Sequence, residues 1–272
     1  MRTFVFTCLL LLGMTTFAQD ANFHIYLCLG QSNMEGNAKV EEQDTVAVDS
    51  RFQVLAAVDC SNLGRTKGNW YKAVPPLARC YTGLTPGDYF GRAMVANLPS
   101  NVRVGIINVA VGGCRIELFD KDNYQSYVET SPDWLKNMVK EYGGNPYARL
   151  VEMAKLAQKD GVIKGILLHQ GESNTNDKDW PLKVKGVYDN LLNDLGLSAA
   201  NVPLLAGEVV HADQNGVCAS MNTIIDSLPQ VIPTAHVISS AGCPAAFDNL
   251  HFTAEGYRML GARSVSYTHL TL

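Results

Sequence analysis

The sequence predicts an α/β fold, a three-layer α/β/α sandwich built on about five parallel strands. Three observations lead there. Short apolar runs alternate along the chain with longer amphipathic stretches. The runs are nearly continuous in Val, Ile and Leu, as strands of a parallel sheet covered on both faces must be. With 272 residues and a 47% hydrophobic composition, the chain is long and apolar enough for one domain with a sizeable core.

The strands are expected at Phe23–Leu29, Val102–Val109, Ile163–His169, Pro203–Val209 and His236–Ser239. Helices are expected at Tyr89–Asn97, Pro146–Lys159, Trp180–Leu195, Met221–Leu228 and from Thr253 onward. In the second of these, Leu150, Met153, Ala154 and Ala157 share one face. This order fits a flavodoxin-like sheet. The stretch from Asn37 to Gly87 breaks the alternation, and a loop that long inside a compact domain is more often functional than idle.

Both chain ends read as something other than fold. Arg2 precedes an apolar run from Phe4 to Met14, shorter than the ~20 residues a spanning helix needs. Thr16-Phe17-Ala18 then offers small residues where a signal peptidase reads them. Residues 1–18 are therefore expected to be a secretory leader, giving a secreted or periplasmic protein with no membrane attachment once it is removed. The domain is expected over 19–264. Residues 265–272 match one reading frame of a common sequencing adapter, so they are expected to be a non-native tail that cuts the last helix short, and His269 is set aside.

Composition excludes several classes. With 22 Lys and Arg against 26 Asp and Glu, the net charge of −4 offers a polyanion nothing to hold, so nucleic acid is not an expected partner. No cysteine or histidine pair has metal-ligand spacing, and no metal or cofactor is expected. Cys28, within a strand, reads as a buried free thiol. Cys60 with Cys80, and Cys218 with Cys243, lie in loop-like stretches and could be bridged.

In open parallel sheets ligands gather outside the carboxyl ends of the strands. The first strand runs into Gly30-Gln31-Ser32-Asn33-Met34-Glu35-Gly36, where Ser32 can present a hydroxyl and a backbone N–H to the same space. The second ends in Ala110-Val111-Gly112-Gly113-Cys114-Arg115, whose paired glycines let amides approach a ligand. The third ends in His169-Gln170-Gly171-Glu172-Ser173-Asn174. There Gln170 has a side-chain donor, Glu172 could orient a base or pair with Arg115, and His169 reads as structural. Near the C-terminus, Asp248 and His251 are spaced so that a carboxylate can hold one imidazole nitrogen while the other faces outward. A turn or a helix cap explains each cluster singly. Four of them in order at strand ends are hard to explain as independent turns.

These four blocks, Gly30-Gln31-Ser32-Asn33-Met34, Val109 to Gly113, His169 to Ser173, and Asp248 to Tyr257, resemble those of the SGNH (GDSL-like) hydrolases, and within them the sialate O-acetylesterase and carbohydrate esterase family 6 group. The likeness also touches Trp70 to Leu77 and Gly87 to Ala93. It implies a serine esterase that removes O-acetyl groups from carbohydrate through an acyl-enzyme. Ser32 would be the nucleophile, His251 the base and Asp248 its partner. The implied oxyanion donors are the N–H groups of Ser32, Gly112 and Gly113 and the side chain of Gln170, with Glu172 and Arg115 in support. Gln170 stands where the wider superfamily has Asn. Competing readings are a short-chain acyl esterase acting on other esters, a non-catalytic glycan-binding module, and a metal-dependent hydrolase using His169, Glu172, Asp248 and His251.

Overall fold

Strand residues alternate between the two faces of a sheet, and here both faces are apolar. Along the first strand, Phe23, Ile25, Leu27 and Leu29 enter one core cluster, while Tyr26 and Cys28 enter the other. A computed structural model describes residues 19–268 of the chain. The sheet has seven strands: β1 (Asp20–Gly30), β2 (Phe52–Leu55), β3 (Trp70–Lys72), β4 (Arg103–Ala110), β5 (Gly161–His169), β6 (Leu204–Gly207) and β7 (Ala235–Ile238). Their order is β3-β2-β4-β1-β5-β6-β7, with only β3 antiparallel to its neighbour.

The five expected strands are β1, β4, β5, β6 and β7, and their spatial order is that of the flavodoxin-like sheet. The count of five is corrected to seven. The stretch from Asn37 to Gly87 adds an antiparallel pair in which Val54 faces Tyr71, and this pair extends the sheet beyond β4. The same stretch is closed by a Cys60–Cys80 disulfide. It is also anchored to the last helix, where Arg258 pairs with the fully buried Asp44 at 2.9 Å.

The helices that matter for the site are α1 (Ser32–Glu35), α2 (Pro86–Asn97), α3 (Asp133–Glu141), α4 (Pro146–Ala157), α5 (Trp180–Leu195) and α6 (Ala254–Thr268). Pro86, Pro146 and Pro181 each stand in the first turn of their helix, where a missing N–H costs nothing. The expected helix over Met221–Leu228 is instead split into single turns, Asn222–Ile225 and Leu228–Val231. Helix α3 was not expected from the sequence. It buries Leu135 and Val139 and leaves Trp134 half exposed. The final helix runs through Thr268, with Val265 buried. The expected leader and the last four residues of the expected tail lie outside the described residues.

Cys28 is buried and free, as expected. Cys218 and Cys243 are not bridged, because Cys218 packs against the cluster on one face of the sheet and Cys243 belongs to the cluster on the other. Among the described residues no helix is long and apolar enough to cross a membrane.

Candidate active site

The chain order reverses direction in the sheet between β1 and β5, which opens a crevice at their carboxyl ends. Gly30, at the end of β1, has φ 149°, and a Cβ there would lie 2.0 Å from the His169 carbonyl oxygen, so only glycine lets the two strand ends meet so closely. Gln31 N–H donates to that carbonyl at 3.0 Å, and Val111 N–H donates to Gly30 O at 3.1 Å. The exits of β1, β4 and β5 are thereby stitched together, and Ser32 opens the single turn of α1 directly above them.

His251 arrives from the other side, in the loop between β7 and α6. Asp248 shapes that loop, its Oδ1 accepting the N–H groups of Leu250 and His251 at 3.0 Å each. Its Oδ2 lies 2.7 Å from His251 Nδ1, and His251 Nε2 lies 2.8 Å from Ser32 Oγ. A carboxylate can only accept, so Nδ1 carries the proton and Nε2 is left to accept from the serine hydroxyl. Partial burial alone would raise the Asp248 carboxyl. The imidazole and the two backbone donors outweigh it and hold Asp248 below the usual carboxylate range. The three side chains expected to converge are thus in serial contact.

They stand on the wall of a cavity of about 360 Å³, lined among others by Gln31, Gly113, Trp134 and Glu172. The indole of Trp134 covers Gly113, reaching 2.7 Å from where a Cβ would stand. The donors facing this cavity differ from those expected. The Gly112 N–H is already committed, donating to Glu35 Oε2 at 3.1 Å. Gln170 is buried away from the cavity. Its amide nitrogen donates to Gln31 Oε1 at 3.0 Å and Asn174 Oδ1 at 2.8 Å, and its oxygen accepts from the Trp180 indole. It cannot reach a reacting carbonyl. Gly113 N–H and Ser32 N–H have no hydrogen-bond partner among the described residues.

Gln31, and not Gln170, stands on the cavity wall beside Ser32. Its side-chain oxygen accepts from Gln170 Nε2 and from Ser173 N–H at 3.2 Å, which fixes the amide plane. Its Nε2 has no partner among the described residues, and the residue lines the cavity beside Ser32. The sequence held a signal for this, a glutamine immediately before the serine. Whether that amide is free was not legible, because its partners come from β5.

Arg115 does not support the site. Beyond the Gly112-Gly113 turn it points outward and pairs with Glu117 at 3.3 Å and Asp177 at 3.5 Å. Glu172 touches neither Arg115 nor His251. Its Oε1 accepts from Asn33 Nδ2 at 2.5 Å, and its buried Oε2 has no hydrogen-bond partner among the described residues. Asn33, fully buried, also donates to Leu250 O at 3.1 Å, and its oxygen accepts from Tyr257 Oη at 2.6 Å and Phe252 N–H at 3.4 Å. One amide therefore joins the serine turn to the β5 exit, to the His251 loop and to α6. His169 plays the structural part expected, its Nε2 2.9 Å from Glu208 O, and burial pushes its imidazole pKa down.

Glu35, expected only as part of the serine block, proves to be a second buried carboxylate at the site. Its Oε1 accepts from Arg79 at 2.9 and 2.7 Å, and Arg79 also pairs with Glu141. Burial pushes the Glu35 carboxyl up, and Arg79 offsets only part of that. Nothing local in the sequence pointed to Arg79, which comes from the later part of the Asn37 to Gly87 stretch. Among the described residues no group of three or more His, Cys, Asp or Glu side chains is arranged to hold a metal ion.

A serine, an imidazole and a carboxylate in series at the switch point of a parallel sheet define a class, the α/β ester hydrolases of three-layer architecture. Residues 22–268 match the family model described as SASA, carbohydrate esterase, sialic acid-specific acetylesterase. The chain belongs to that family, as the four blocks implied, and is a carboxylic ester hydrolase. It is 25% identical over 252 residues to a probable carbohydrate esterase of Arabidopsis thaliana, covering 87% of this chain and 86% of that one. A crystal structure of an Arabidopsis thaliana protein superposes with a TM-score of 0.70 at 20% identity, over 92% of this chain and 99% of the other. The structure of NanS superposes with a TM-score of 0.66 at 14% identity, over 93% and 98%. At these identities the structural matches establish the fold.

Proposed function

We propose that the protein is an exported serine esterase that removes O-acetyl groups from carbohydrate, with Ser32, His251 and Asp248 as its catalytic residues. The observation that carries this is the unbroken contact series from Ser32 Oγ through the imidazole to Asp248, at 2.8 and 2.7 Å, on the wall of a cavity. Ser32 Oγ attacks the acetyl carbonyl as Nε2 takes its proton, and Asp248 stabilises the imidazolium so formed. The oxyanion is met by the N–H groups of Ser32 and Gly113 and by Gln31 Nε2. Collapse returns the proton to the departing sugar hydroxyl and leaves an acetyl-enzyme. Water, deprotonated by the same imidazole, then releases acetate.

Carbohydrate as the substrate is supported by the family and by the half-exposed Trp134 beside the nucleophile, a flat apolar face of the kind a sugar ring covers. Export is supported by the 1–18 leader pattern and by the Cys60–Cys80 bridge, since disulfides persist in oxidising compartments.

The test is acetate release from acetylated xylan, sialic acids and pectin by the wild type and by Ser32→Ala, alongside labelling with a fluorophosphonate probe. Hydrolysis and labelling are expected in the wild type and neither in the variant, with thermal melts nearly equal. An active Ser32→Ala enzyme would sink the mechanism, and an unlabelled wild type would favour a glycan-binding module.

A further inference from the structure

The Ser32 cavity does not close at Glu35 and Asn37. The same two residues also line a second, larger cavity of about 640 Å³, so the two spaces adjoin across Glu35 and Asn37. The remaining lining comes from the stretch between Gly36 and Gly83, the insertion that the sequence marked as too long to be idle.

The groups around the second cavity fall into two sets. Glu35 and Arg79 are spent on each other, and Arg79 also holds Glu141. They form an ion-paired floor. Asn37, Lys39 and Tyr81 are exposed and unspent: their side-chain amide, ammonium and hydroxyl have no hydrogen-bond or ion-pair partner among the described residues. Tyr81 is 89% exposed, leaving its ring open to a ligand. An open aromatic face beside a few unpaired donors and acceptors, on a preformed floor, suits a ligand that is apolar on its ring faces and hydroxylated around its edge. A pyranose has that character. A fatty acyl chain does not, since the lining offers it little apolar surface.

We propose that this second cavity binds the sugar unit adjacent to the acetylated one, so that the enzyme acts on acetylated oligosaccharides or glycan chains in preference to free acetylated monosaccharides. The inference rests on the reading of the Ser32 cavity as a carbohydrate deacetylation site. In this arrangement the acetylated ring lies over Trp134 in the Ser32 cavity, and the chain continues past Asn37 into the adjoining cavity and onto Tyr81. Binding energy gained at the remote unit is used to hold the acetyl carbonyl against Ser32, and it therefore appears in kcat/KM.

The experiment measures kcat/KM for acetate release by the full chain on two matched pairs: O-acetylated xylose with O-acetylated xylotetraose, and O-acetylated N-acetylneuraminate with the same sugar linked to lactose. The longer member of at least one pair is expected to be preferred by about tenfold or more, and the favoured pair identifies the glycan. Tyr81→Ala is expected to lower that long-to-short ratio by about two- to tenfold, the range an aromatic contact supplies. Equal kcat/KM within both pairs, or a ratio untouched by Tyr81→Ala, overturns the proposal while leaving the esterase assignment intact. If the enzyme cleaves para-nitrophenyl acetate but none of the four sugars, the carbohydrate reading itself fails and the subsite falls with it.

Discussion

Replacing Asn33 with Asp exchanges one atom and probes the whole junction. The variant keeps the oxygen that accepts from Tyr257 at 2.6 Å and Phe252 at 3.4 Å, but puts an oxygen where Nδ2 stood, 2.5 Å from Glu172 Oε1 and 3.1 Å from Leu250 O. Two ionised carboxylates at that separation would repel by roughly 7 kcal/mol even at an effective dielectric near 20. The folded variant will instead retain one proton between the pair, which restores a hydrogen bond at low pH. Its folded-state carboxyl pKa is therefore raised above the unfolded value. Such a group contributes stability that is present below about pH 4 and is lost as pH rises through the folded pKa, by up to about 1.4 kcal/mol per unit. Between about pH 5 and pH 8 the variant should lose up to about 4 kcal/mol relative to wild type. The assay is thermal unfolding of both proteins at the two pH values, with kcat on an acetate ester at the higher one. A wide Tm gap at pH 8, a narrow one at pH 5 and a reduced kcat are expected. A gap independent of pH, or a wild-type kcat at pH 8, would refute the idea that this amide ties the serine turn to the His251 loop.

Gln31→Glu keeps the oxygen that accepts from Gln170 and Ser173 while replacing the free donor with a carboxylate oxygen; kcat should fall by about 10²–10³ or more with a smaller change in KM, and a variant with wild-type kcat would remove Gln31 from the oxyanion site. Asp88 lies at the start of α2 with Oδ2 accepting from Thr85 N–H at 3.0 Å and Oδ1 without a hydrogen-bond partner among the described residues, and burial pushes its carboxyl up to about 8. The raised value means that its contribution to stability is fully present below about pH 4 and is lost as pH rises toward 8, so wild-type Tm should decline across that window and Asp88→Asn, with no proton to lose, should decline less. Parallel Tm profiles for the two proteins would count against it.

How much was legible depended on the range of the interactions involved. The five central strands could be read because burial on both faces makes their apolar content local and continuous. Strands β2 and β3 escaped because Trp70 to Lys72 form a short edge, partly exposed, whose pairing with β2 depends on residues some twenty positions away. Ser32, His251 and Asp248 were legible because each stands in a dense polar block at a strand exit. The donors were not, since the freedom of an amide depends on what the rest of the fold brings to it. Gly112 and Gly113 look equivalent in sequence, yet Glu35 occupies the first and not the second. Glu35 is in turn held by Arg79, which lies 44 positions farther along the chain.

The two buried carboxylates beside Ser32 raise an electrostatic question that the geometry answers. An oxyanion forming near Glu35 and Glu172 would be repelled if their lone pairs faced it. Glu35 directs its oxygens to Arg79 and to the Gly112 N–H, and Glu172 directs Oε1 to Asn33 while its unpartnered Oε2 is buried, so each is bound to a donor that also positions a loop of the site. Holding those loops engages the Gly112 amide, which is then not free to face the cavity. The amides of Ser32 and Gly113 and the side chain of Gln31 remain to face the cavity, and Gln31 is fixed by Gln170, the residue expected to donate directly. The glutamine after β5 therefore acts at one remove, by orienting the glutamine that follows β1.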